Sequence, residues 1–186
     1  MRLNAPRIAP LTDAEMDEDQ KELVKPMGER VLNIFRTLLR APKAMRGFMG
    51  WGNYVLSRRN DLPAREREIV ILRIGFLCKS GYEWTQHVAI GRREGLTADE
   101  IAAIKVGAGA PNWSAADAAL IRASDELHTG QFISDATWAA LGASFTQKQQ
   151  MDVVFTAGQY TQVSMMLNTF GVQLDEGLTL DPDLRA

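Results

Sequence analysis

The sequence has one cysteine, Cys78, and two histidines, His87 and His128, in 186 residues. A single thiol makes no internal disulfide, and with no His or Cys at ligand spacing it makes no zinc site either. That cysteine usage fits a reducing cytoplasm. Long apolar runs are missing too. The longest, Ile69 to Cys78, is interrupted by Arg73 and falls far short of the roughly 20 residues that cross a bilayer. Pro6, Arg7 and Pro10 break up the opening segment, so it forms no apolar h-region of a secretion signal. Nor does one charge dominate. The 21 Lys and Arg against 23 Asp and Glu give a formal charge of −2, which leaves no basic surplus to hold nucleic acid by counterion release. The expectation is a soluble cytoplasmic protein with neither nucleic acid nor membrane as partner.

What is present reads as a globular chain, with 46% hydrophobic and 24% charged residues. At roughly 150 residues per domain this is one domain, residues 1–186 with a core at about 42–171. Helix starts are the commonest local signal. Thr12 with Glu15, Thr97 with Glu100, and Thr146 with Gln149 have capping-box spacing, and Ser114 with Asp117 is a weaker version. Pro42 and Pro63 suit first helical positions. Gly95 and Gly130 suit the left-handed residue that ends a helix. Val31, Ile34, Phe35, Leu38 and Leu39 follow helical spacing, as do Met151, Val154 and Phe155, then Val163, Met166, Leu167 and Phe170. Ile69-Val70-Ile71-Leu72 is β-branched enough for a strand, but the acids just before it make a helical first turn, so it reads as a buried helix. The expected class is all-α, with helices at about 12–24, 28–40, 42–59, 63–79, 81–94, 97–106, 114–129, 134–143 and 146–171. Residues 1–11 and the tail from about 172 suit packing on a neighbouring subunit, or a loose state.

Few side chains offer chemistry. Glu83 and His87 are i and i+4 on one helix, so their side chains can touch. A carboxylate that fixes an imidazole tautomer suits general acid–base work, since histidine titrates near pH 6.5. The same pairing also occurs as simple helix support. His128 stands in a last helical turn, where a cation meets the negative end of the dipole and caps it. Glu83 and His87 would give a metal two ligands but no third. Cys78 ends an apolar helix next to Lys79, which would lower a thiol pKa, yet buried free cysteines mostly act as small hydrophobes.

Glu66-Arg67-Glu68-Ile69-Val70-Ile71-Leu72-Arg73 and then Tyr82-Glu83-Trp84-Thr85-Gln86-His87 resemble the carboxymuconolactone decarboxylase family, which includes the alkylhydroperoxidase D group. The resemblance is strong over about 42–110. Trp138 and Asn168-Thr169-Phe170-Gly171 look like the longer members. It implies an all-α bundle that assembles as a trimer or hexamer. The hydroperoxidase branch carries Cys-x-x-Cys-x-x-x-His with a glutamate on the preceding helix. Here Ser80 and Glu83 fill the two cysteine positions, Glu68 stands where the relay glutamate belongs, and Cys78 is two residues out of register. A dithiol peroxide cycle needs a thiolate and a resolving thiol, and neither is in place.

The decarboxylase branch shares the Glu83 and His87 pair without cysteines. The resemblance therefore implies cofactor-free, metal-free acid–base chemistry on a small lactone or carboxylate, with His87 as the acid and Glu83 or Glu68 orienting it. Arg73 would hold a substrate carboxylate, or serve as a salt bridge. Tyr82 and Trp84 would line an apolar pocket, or anchor the core. Asn168 would meet a substrate carbonyl or a helix end. Two further readings stay open: an alkylhydroperoxidase-like antioxidant protein using Cys78 alone with an external thiol, and a non-catalytic oligomeric module that binds a small molecule.

Overall fold

The computed structural model describes residues 1–111 and 113–185. Among them the chain forms nine α-helices and no strand. They are α1 (Glu18–Val24), α2 (Asn33–Leu38), α3 (Pro42–Val55), α4 (Ala64–Leu77), α5 (Gly81–Arg93), α6 (Ala98–Val106), α7 (Ala115–Gly130), α8 (Asp135–Gly142) and α9 (Gln147–Phe170). None is long and apolar enough to cross a membrane.

The β-branched stretch is helical, as expected, because α4 is wrapped by α5, α6, α7 and α9. Every residue from Glu68 to Gly75 is buried. The aliphatic side chains Ile69, Val70, Ile71, Leu72 and Ile74 have no exposed surface at all, and each contributes roughly 1.5–3 kcal/mol by leaving water. A helix enclosed on all sides needs no polar face, so its sequence reads apolar throughout.

The caps at Thr97, Ser114 and Thr146 open α6, α7 and α9, each side chain accepting from a backbone N–H three residues on. Other expectations need correcting. Thr12 and Glu15 cap only a 3₁₀ turn, and the first α-helix starts at a second box, Asp17 with Gln20. The stretch expected as helix from 28 to 40 is helical only at Asn33–Leu38. Pro63 sits at the N-cap of α4 rather than inside it. The left-handed residue after α7 is Gln131, with φ 55°, while Gly130 is the last helical residue. In α9 the buried side runs through Val153, Tyr160, Val163 and Leu167, whereas Met151 and Val154 face outward. The apolar spacing misled there because α9 is packed over most of its circumference and its buried face carries polar residues as well.

The two ends also fold onto their own chain. Backbone N–H groups of Arg7 and Ile8 donate to the Phe170 carbonyl at the end of α9. Leu11 and Leu184 are buried, and Asp175 receives bonds from Tyr82 and Gln86. Neither end is a free arm.

α4 and α5 are joined by a tight reversal. Ser80 N donates to Gly75 O and Lys79 N to Phe76 O, the paired bonds of a Schellman motif, which place Lys79 in the left-handed region at φ 52°. A non-glycine residue there carries a steric cost of about 1–2 kcal/mol. Lys79→Gly is therefore expected to stabilise the fold by about 1 kcal/mol, seen as a higher denaturation midpoint with an unchanged slope. A lower midpoint would mean that the lysine side chain holds the turn.

Candidate functional site

The α4–α5 reversal lays the two helices side by side, and two glycines set how closely. A Cβ on Gly75 would lie 3.2 Å from Cγ of Glu83, and one on Gly91 would lie 3.7 Å from Cβ of Glu68. With no side chain at either point, Glu68 of α4 reaches His87 of α5. Glu68 Oε2 lies 2.8 Å from His87 Nδ1, and Glu83 Oε1 lies 3.1 Å from His87 Nε2. The first contact is a hydrogen bond. The second is close but off axis, so Glu83 Oε1 has no partner in hydrogen-bonding position among the described residues. All three side chains are buried.

Such close quarters shift their protonation. Burial raises the Glu83 carboxyl to about 7, against the pull of His87 and with a push from Glu68. Burial alone would lower the His87 imidazole, but Glu68 and then Glu83 outweigh it and hold it above its ordinary value. The Glu83 carboxyl and the His87 imidazole can thus exchange a proton, as a group that passes one must.

His87 and Glu83 line a partly enclosed cavity of about 210 Å³, while Glu68 stands behind them outside it. The walls are otherwise mostly apolar, with Phe35, Phe48, Met49 and Ile90 among them, and carry no lysine or arginine. Polar groups also reach the cavity from α9, which sequence reasoning missed. The Tyr160 ring meets the imidazole edge-on at 4.9 Å between centroids. Burial, followed by the Glu83 and Glu68 charges, keeps its phenol protonated far above the ordinary range. Gln159 lies next to it, 4% exposed and also on the cavity wall. The available signal was the run of polar residues in a helix too central to be solvated: Gln150, Asp152, Thr156 and Gln159.

The other candidate residues go elsewhere. Tyr82 lines the cavity, but its hydroxyl donates to Asp175 at 2.5 Å. Trp84 does not line it; its indole N–H donates to Asp181 and its ring packs on Phe76 and under Lys105. Arg73 is a buried clasp, not a group facing the cavity: Nε donates to Asp125 at 2.6 Å, and Nη1 to the carbonyls of Ile104 and Lys105. Asn168 donates to the backbone carbonyl of Cys78 at 2.9 Å, away from His87. Cys78 and His128 lie together, also outside this cavity. Ser80 is fully buried with an unpartnered hydroxyl. Among the described residues no cluster of three His, Cys, Asp or Glu is disposed to hold a metal.

This helical scaffold, with an imidazole held between carboxyls of paired helices, is of the alkylhydroperoxidase D-like type. Residues 42–125, from α3 into α7, match the carboxymuconolactone decarboxylase family. The solved structure of an alkylhydroperoxidase AhpD core, a peroxidase-related protein from Ralstonia eutropha JMP134, superposes with a TM-score of 0.76 at 19% identity, covering 91% of this chain and 93% of that one. A peroxidase-related protein from Silicibacter sp. TM1040 gives 0.72 at 15%, covering 94% and 92%. The debrominase Bmp8, as a cysteine-to-alanine variant in complex with 2,3,4-tribromopyrrole, gives 0.71 at 10%, covering 91% of each chain. At these identities the likeness is one of fold. No curated protein sequence matches the chain significantly.

A Glu83 carboxyl raised to about 7 binds its proton more tightly folded than unfolded, where it titrates near 4.5. Its stabilising contribution is complete below pH 4.5 and is lost as pH rises through 7. The raised His87 acts in the same direction. Between pH 4.5 and 8 the protein is expected to lose on the order of 3 kcal/mol more stability than Glu83→Gln, measured by denaturant unfolding. Parallel curves would show that Glu83 titrates normally.

Proposed function

We propose that the chain is a cofactor-free lyase that decarboxylates a small lactone acid by acid–base chemistry at His87. One observation carries this reading: His87 is clamped between Glu68 and Glu83 at the wall of a partly enclosed, mostly apolar cavity. Substrate binding there would take a carboxylate out of water onto mostly apolar walls without lysine or arginine, and loss of CO₂ moves its charge into the bound ring, where the proton from His87 neutralises it. The carbon–carbon bond to CO₂ breaks, and its electron pair passes into the conjugated lactone as a dienolate. The Tyr160 hydroxyl and the Gln159 amide, from residues that line the cavity, would donate to the dienolate oxygen. His87 Nε2 then delivers a proton to carbon and regains one through Glu83. Glu68 acts as a positioning residue, since its bond to Nδ1 fixes the ring and supports the imidazolium.

The single cysteine and its separation from His87 support this chemistry over a dithiol cycle. The same reading includes a single cytoplasmic domain working as a homo-oligomer, a trimer or hexamer. Trp51, Met151 and Val154 are exposed around Phe155, whose ring stacks edge-on against Trp51, and such a patch favours contact between copies.

With γ-carboxymuconolactone as substrate, followed by absorbance, His87→Ala is expected to lose between about a hundredfold and ten-thousandfold in rate. Glu68→Gln removes an anion from beside the imidazole, lowers its pKa and moves the alkaline limb of the rate profile to lower pH. Equal rates for the native protein and His87→Ala would overturn the proposal.

A further inference from the structure

A second cleft, open and about 790 Å³ in volume, lies against the ends of α4 and α7 and the C-terminal half of α9. It shares no lining residue with the His87 cavity. On its wall Cys78 Sγ lies 3.6 Å from His128 Nδ1. The thiol caps the C-terminal end of α4 and is half-buried. Burial pushes its pKa up, so it rests as a protonated thiol beside a base.

A second feature of the cleft marks a ligand. Ser164 also lines it, is fully buried, and has an Oγ in hydrogen-bonding position with no described group, although it lies near enough to the thiol to moderate its pKa. A helical serine or threonine commonly returns its hydroxyl to the carbonyl four residues back. Ser124 and Thr161 do so here, whereas Ser164 makes no such bond and its buried hydroxyl lies beside the Cys78 thiol. Leaving a buried hydroxyl unpaired costs about 1–3 kcal/mol unless something binds it.

The walls also indicate charge and size. Arg2 and Arg7 line the cleft and no aspartate or glutamate does, so its field favours an anion. Its volume is far larger than a peroxide needs. Because Cys78 is the only cysteine, any sulfur partner must come with the ligand.

We propose that this cleft is a second site, which takes a small anionic disulfide and captures half of it on Cys78. Sγ of Cys78 attacks one sulfur of the ligand, forming a new S–S bond as the ligand's own S–S bond breaks. The thiol proton passes to His128 Nδ1 and from there to the departing thiolate. Cys78 is oxidised to a mixed disulfide and the released half is reduced to a free thiol, so no other oxidant is required. The arginines hold the anionic groups, and the Ser164 hydroxyl donates to the bound molecule.

The single cysteine makes the test direct, because every thiol signal comes from Cys78. The probes are dithiobisnitrobenzoate, a dianionic aromatic disulfide, and dipyridyl disulfide, which is neutral, each rate being divided by its rate with free cysteine. The dianionic probe is expected to be favoured. Arg2→Ala combined with Arg7→Ala should slow it by about tenfold and leave the neutral probe unchanged. His128→Gln should slow both by about tenfold or more at neutral pH. Intact mass should show one adduct, absent in Cys78→Ser, and thermal melts should show every variant folded. No preference for the dianion, or rates indifferent to both the arginines and His128, would overturn the proposal. Lactone turnover through His87 is a separate readout, so either activity can fail without the other.

Discussion

Enclosing α4 on every side constrains the rest of the molecule. A buried helix satisfies its own backbone, but each polar side chain on it must find a partner inside the protein. Arg73 meets this need by clasping Asp125 and two carbonyls at the end of α6. Glu68 meets it through His87. The first draws α6 and α7 onto α4, and the second fixes how α5 lies along it. Gly75 and Gly91 let the α4–α5 pair close up, so one packing requirement yields both a stable centre and a buried proton-sharing group.

That group owes its chemistry to burial. In water a glutamate beside a histidine is an ordinary ion pair of little energetic weight. Here two carboxyls compete for one imidazole, and desolvation forces one of them, Glu83, up to about 7. The group is therefore one that can exchange a proton, at the wall of a mostly apolar cavity without lysine or arginine. The two histidines divide between different surroundings, His87 at the wall of the smaller, more enclosed cavity and His128 beside the thiol in a larger, more open one.

Much of this was legible from residues alone. Capping pairs marked α6, α7 and α9, and the acids preceding the β-branched run were enough to make α4 a helix. Glu83 and His87 could be paired from their spacing of four, a relation that exists within one helix whatever surrounds it. Glu68, nineteen positions from His87, entered only through resemblance, because no local rule joins residues across two helices. Trp84, Arg73 and Asn168 each admitted a ligand-facing role beside a structural one, and tertiary contacts engaged each of them elsewhere. Tyr160 and Gln159 went unnoticed because α9 carries apolar residues on its exposed side as well, which blurs the periodicity that marks a buried face.

The sequence by itself determined the helices, their caps and the i, i+4 pair, since these depend on backbone hydrogen bonds and on neighbours within one turn. Which polar residues face a cavity, which carboxyl meets the far side of the imidazole, and that Cys78 and His128, fifty residues apart, face each other were decided only by the tertiary structure. Those relations depend on how closely helices distant in sequence approach, and on the desolvation that the approach creates.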